Sequence, residues 1–163
     1  MTFNNYPDIE ELPDGEQADI TILGLPYDGG IRHDNIGQRQ APPAIRDAGY
    51  WPHDQMFDQT GATPPPKVYD AGDIAFNGDA TIDHDLIVDA VSELMLRSRL
   101  VICLGGDNSV SEGIVRAHEV DSVSLPHVVL FDAHSDMYQE ERWDHGTWLG
   151  SLLEVGATAR SEE

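Results

Sequence analysis

Two carboxylates and an imidazole alternate along Asp132-Ala-His-Ser-Asp136. Carboxylate oxygen combined with imidazole nitrogen suits Mn, Zn, Fe, Co or Ni better than Ca. In an extended segment every second side chain shares a face, so Asp132, His134 and Asp136 can converge on one point. A bridging carboxylate there would hold two metals roughly 3.5–4 Å apart and lower the pKa of a bound water. Two further clusters are Gly105-Gly-Asp-Asn-Ser109 and Asp144-His-Gly-Thr147. The same residue types also have plain structural uses. Asp and His behind a strand cap the next helix or satisfy loop amides, and paired glycines occur wherever backbones turn tightly. A phosphate cradle is a further reading of the glycine loop, but neither G-x-G-x-x-G nor G-x-x-x-x-G-K-[ST] is present.

These clusters need a scaffold, and the flanking sequence predicts one. Asp19-Ile-Thr-Ile-Leu-Gly-Leu25 is β-branched and reads as a strand, followed by the glycine-rich turn Tyr27-Asp-Gly-Gly-Ile-Arg32. Pro42-Pro-Ala-Ile-Arg-Asp-Ala48 reads as a helix start, with proline tolerated in the first turn. Residues 52–66 end in three prolines and read as a loop. Lys67 to Asp73 reads as a short strand. Residues 83–99 carry the clearest helical periodicity, through Ile87, Ala90, Val91 and Leu94, with Asp83 as its expected cap. Leu100-Val-Ile-Cys-Leu104 is a fully apolar run with a glycine stop, as expected of a buried parallel strand, and His127-Val-Val-Leu-Phe131 reads as another buried strand. Helices are expected over 109–119 and from Gly146 to Val155. Strands alternating with helices predict an α/β domain with a mostly parallel sheet. In such a sheet ligands bind beyond the carboxyl ends of the strands, which is where residues 105–109 and 132–136 fall, with 144–147 a little further on. His33, His53, His84, His118 and His127 have no partner pattern and read as surface or packing residues. Cys103, inside an apolar run, reads as a core filler.

The 163 residues hold 30 Asp+Glu against 9 Lys+Arg, for a formal charge of −21. That charge argues against nucleic-acid partners and against an anionic membrane surface. A single cysteine excludes an internal disulfide. No apolar run reaches the ~18 residues of a spanning helix, and the N-terminus shows no secretory pattern, so the expected location is cytoplasmic. Lys67 is the only lysine, and the acids are dispersed rather than blocked. Dispersed excess acid is a trade seen in proteins of salty cytoplasm, which predicts a melting midpoint that rises toward molar KCl. A midpoint flat in KCl would leave an ordinary acidic protein.

Taken in order, the motifs resemble the ureohydrolase family of arginase, agmatinase, guanidinobutyrase and formimidoylglutamase. Ile22-Leu-Gly-Leu-Pro-Tyr-Asp-Gly-Gly30 is similar to the family's first strand and loop, and Gly37-Gln-Arg-Gln-Ala-Pro-Pro-Ala-Ile-Arg46 to its G-x-R-x-G-P-x-A-I-R stretch. Tyr69-Asp-Ala-Gly-Asp-Ile74 resembles D-x-G-D, Leu104-Gly-Gly-Asp-Asn-Ser109 resembles G-G-D-H-S, and Phe131-Asp-Ala-His-Ser-Asp136 resembles D-A-H-x-D. Asp144-His-Gly-Thr147 resembles the H-G-T segment of agmatinase-type members. The resemblance implies a three-layer α/β/α arginase-like fold, two Mn²⁺ ions, and attack of a bridging hydroxide on a guanidinium carbon. By this match Asp132 would bridge both metals, His134 would bind one and Asp136 the other, and His145 would shuttle protons beside the substrate.

Two departures stand out. Asn108 occupies a position where the family commonly has a metal-binding histidine, and a neutral amide is the poorer ligand. The family's D-x-D-x-x-D-P segment, which completes both metal sites, is absent from these residues. Residues 1–17 read as an N-terminal arm and 18–163 as the N-terminal portion of a ureohydrolase-like domain, its C-terminal part missing. The expected activity is metal-dependent hydrolysis of a small guanidino substrate, agmatinase-like. The alternatives are a formimino substrate, as in formimidoylglutamase, or a truncated inactive homologue that binds metal weakly. Expected macromolecular partners are a second copy of the chain or a complementing C-terminal polypeptide.

Overall fold

The computed structural model describes residues 6–30, 37–48, 66–118, 126–138 and 143–161, with side chains up to residue 154. The expectations for His33, His53, Arg32 and most of the 52–66 loop lie outside the described residues. Three parallel strands form the sheet: β1 (Ile20–Leu25), β2 (Val68–Asp73) and β3 (Val101–Gly105), in the order β2-β1-β3. The helices are α1 (Ala41–Ala48), α2 (Ala80–Arg97), α3 (Val110–Ala117) and α4 (Trp148–Ser161). Among the described residues no helix is long and apolar enough to cross a membrane.

The central strand β1 is buried from Thr21 to Leu25 and divides the helices into two layers. Successive side chains of a strand point to opposite faces. Leu23 and Leu25 join Ile87, Val91 and Leu94 of α2 and Val110 and Ala117 of α3 in one core. Gly24 points the other way, where an added Cβ would fall within 2.8 Å of Arg46 of α1. Helices on both faces of a parallel sheet make the three-layer α/β/α arrangement. Close approach of α2 and α3 depends on Gly113, since a Cβ there would come within 2.8 Å of Ile87. The segment from Pro7 to Leu12 packs Ile9 and Leu12 into this core, and its Pro7 carbonyl accepts from the amide of Asp70.

Arg46 ties α1 to β2. Its side chain is 1% exposed, and its Nε and Nη2 donate to the two oxygens of Asp70 at 3.0 and 2.9 Å. A further bond reaches Asp73. Removing one partner of such a buried pair typically costs about 3–5 kcal/mol, because the other charge stays buried.

Three expectations need correction. The cap of α2 is Asp79, which accepts from the amides of Thr81 and Ile82, and the helix starts at Ala80. Asp83 lies inside it, fully buried, and its carboxylate reaches back to the amides of Asn77 and Gly78 at 2.8 and 2.9 Å. Both are one device, an acid satisfying amides around a helix start. Strand β3 is not buried throughout, for Ile102 is 40% exposed. It stands at the edge of the sheet. The third correction concerns His127–Phe131, which forms no strand: Val129 is 77% and Phe131 96% exposed. A strand apolar on both faces needs pairing and cover on both sides, and no other described segment supplies them.

His84 sits on α2 with its ring edge against Trp143, centroids 5.0 Å apart, and its buried Nε2 has no hydrogen-bond partner among the described residues. Burial holds its pKa below the ordinary value. Glu112 and Asp85 pull it up, and Arg116 adds to the lowering. The unfolded chain takes up this proton near pH 6.5, whereas the folded chain does so only at lower pH. Stability is therefore complete above about pH 6.5 and falls below it. We expect the melting temperature of His84→Phe to fall less than that of wild type between pH 7.5 and 5. Parallel curves would remove His84 from the account.

Candidate metal centre

The clusters singled out by spacing gather at the carboxyl ends of β1 and β3. The turns after these strands interlock. Asp107 donates its amide to the Tyr27 carbonyl at 2.8 Å, and its carboxylate accepts from the amides of Gly30 and Ser109 at 2.9 Å each. Gly106 permits the approach, since a Cβ there would lie 1.8 Å from the Tyr27 oxygen. Tyr27 stacks on Trp143 at 5.1 Å, and the Trp143 indole donates to the Ser109 carbonyl at 2.8 Å. Asp107 is thus the node of the loop pair. The Asp-x-Ser spacing of an Asx turn ahead of α3 carried that signal in the sequence.

Asn108 sits on this platform and faces two of the predicted ligands. Its Nδ2 donates to Oδ2 of Asp132 at 3.3 Å and to Oδ2 of Asp136. Asp136 is 5% exposed and takes a positive φ of 51°, a conformation costing about 1–3 kcal/mol in a non-glycine residue. His134 does not join the same point. Its ring is 76% exposed and lies 3.6 Å from Asp132. The alternation expected of an extended segment fails because Oδ1 of Asp132 caps the His134 amide at 2.9 Å and bends the chain. The left-handed backbone at Asp136 then turns it again. Among the described residues no three His, Cys, Asp or Glu side chains come together as a metal group. Asp132 and Asp136 supply carboxylate oxygens of the kind a divalent cation takes, whereas Asn108 turns its N–H to them and its Oδ1 accepts from the Ser111 hydroxyl at 2.9 Å.

His145 is held from the opposite direction. Its Nδ1 lies 2.7 Å from the Gly30 carbonyl, and its amide donates to the same oxygen at 3.3 Å. A carbonyl only accepts, so Nδ1 carries the proton and Nε2 is left to exchange one. Asp144, 1% exposed, orders this turn by accepting from the Gly146 amide at 2.8 Å. Cys103 takes no part: burial pushes its thiol up to about 12, so it is no nucleophile at neutral pH.

The sequence matches the model of the Arginase family over residues 18–162. It is 33% identical over 145 residues to an agmatinase of Proteus mirabilis, covering 83% of this chain and 45% of that protein. Among solved structures, proclavaminate amidino hydrolase from Streptomyces clavuligerus superposes with a TM-score of 0.74 at 30% identity, over 94% of this chain and 51% of that one. A histidine-for-asparagine variant of Trypanosoma cruzi formiminoglutamase with Mn²⁺ gives 0.75 at 26% identity, over 91% and 53%. The chain spans about half the length of the curated relatives it matches.

Proposed function

Because the chain belongs to the arginase family, we propose that it supplies the first half of a metal-dependent hydrolase of linear amidines, acting on a small guanidino compound of the agmatine type and releasing urea. The observation that carries this reading is the meeting of Asp132, Asp136 and Asn108 on the loops beyond a parallel sheet. When bound, Mn²⁺ supplies an activated water and charge stabilisation. Asp132 and Asp136 would hold the ion, Asn108 would turn its amide oxygen toward it, and His134 would close in from the exposed side. His145 would take and return a proton through Nε2 beside the substrate, its ring fixed by Gly30.

The remaining ligands come, on this reading, from a complementing C-terminal polypeptide. That partner would also pair the free edge of β3 and cover Val129 and Phe131. A formimino substrate is the second reading, and Asn108 in the place of histidine favours it. The test is urea or ammonia release from agmatine, guanidinobutyrate, arginine and formimidoylglutamate, with and without the second half.

A further inference from the structure

We propose that Trp148 is a positioning residue for Asp136, its indole N–H fixing the direction in which that carboxylate is presented. The inference rests on reading Asp136 as a metal ligand. Trp148 opens α4 and is 2% exposed. A tryptophan at the start of an apolar helix looks like core filling. Here, however, its Nε1 donates to Oδ2 of Asp136 at 2.7 Å. Indole nitrogen is a donor only, so it can serve the carboxylate but cannot compete for a cation.

The rest of the first turn of α4 grips the same residue. The amides of Leu149 and Gly150, which have no partner within the helix, both donate to the Asp136 carbonyl at 3.2 Å. Asp136 is thus held by main chain and side chain at once, and these bonds offset its left-handed backbone. Among the described residues its carboxylate donors, Trp148 and Asn108, both take Oδ2. That leaves Oδ1 to be presented to an ion. Hydrogen bonds to a ligating carboxylate set its orientation, and losing one typically costs 10–100-fold in metal affinity.

The experiment is a Mn²⁺ titration of the full 163-residue chain, read as free ion by electron paramagnetic resonance. Trp148→Phe keeps the aromatic packing and removes only the donor. We expect it to weaken Mn²⁺ binding by about tenfold or more at unchanged far-ultraviolet circular dichroism. Trp148→His, which keeps a ring N–H, should recover part of the loss. Equal affinity of wild type and Trp148→Phe overturns the proposal. A double-mutant cycle of Trp148→Phe with Asp136→Asn, read by melting temperature, covers the remaining cases. Should wild type bind no Mn²⁺, the reading of Asp136 as a ligand fails, and the cycle alone decides on positioning. Should Trp148→Phe not fold, Trp148→His and Asp136→Asn take its place in both measurements. Losses smaller together than their sum support the contact, and additive losses overturn it.

Discussion

The 163 residues alone, supplied with Mn²⁺, should release no urea or ammonia from agmatine, guanidinobutyrate, arginine or formimidoylglutamate. The same residues joined to a polypeptide carrying the D-x-D-x-x-D-P segment should turn over one of them. The expected contrast is the largest available, because hydrolases of this kind supply about a millionfold or more over the uncatalysed reaction. Two shortfalls in the chain account for it. Its proposed ligands among the described residues are two carboxylates bonded to a neutral amide, with His134 standing off in solvent. Two ions held together need more charge and more donors than that. The second shortfall is the scaffold. Phe131, 96% exposed, immediately precedes Asp132, so the first proposed ligand hangs on an exposed segment. A loosely held ligand contributes little, since catalysis depends on geometry held within fractions of an ångström. Turnover by the isolated chain above a metal-free control would sink the half-enzyme reading. Silence of the joined product on all four substrates would sink the hydrolase reading itself.

The second large effect concerns Asn108. Replacing it by histidine should raise Mn²⁺ affinity by roughly tenfold or more, since imidazole suits a transition metal better than a neutral amide does. In the structure its amide N–H bonds reach both Asp132 and Asp136, and its Oδ1 accepts from the Ser111 hydroxyl. In Asn108→His a ring nitrogen becomes a ligand, so binding no longer has to turn an amide around. Calorimetric titration of both chains with MnCl₂ reads the difference. Equal affinities would mean that position 108 does not face the ion, and would remove Asn108 from the proposed ligand set.

Much of the scaffold was legible because local pattern dictates it. The β-branched run at 20–25, the proline pair opening α1, and the apolar periodicity of α2 each depend on near neighbours in the chain, and each forms where expected. So does the placement of the glycine cluster 105–109 beyond the end of β3, which follows from strand–helix alternation. Asp83 has the amide-binding chemistry expected of a cap, but inside the helix rather than ahead of it. An acid before an apolar helix is a cap by pattern, but the helix starts at Ala80, so Asp79 caps it while Asp83 bonds the amides of Asn77 and Gly78 from inside.

The sequence by itself determined the family, the order of elements and the residue types at the site, since composition, periodicity and motif order are properties of the chain alone. The tertiary structure decided that Asp132 and Asp136 meet Asn108 while His134 turns away. It also decided that His145 hangs from Gly30, that Trp148 grips Asp136, and that 127–131 stays outside the described sheet. The reason is physical. Hydrogen bonds such as that from Asn108 to Asp136 join residues 28 apart, and a buried strand exists only where another segment pairs with it. Neither condition is written in the residues that have to satisfy it.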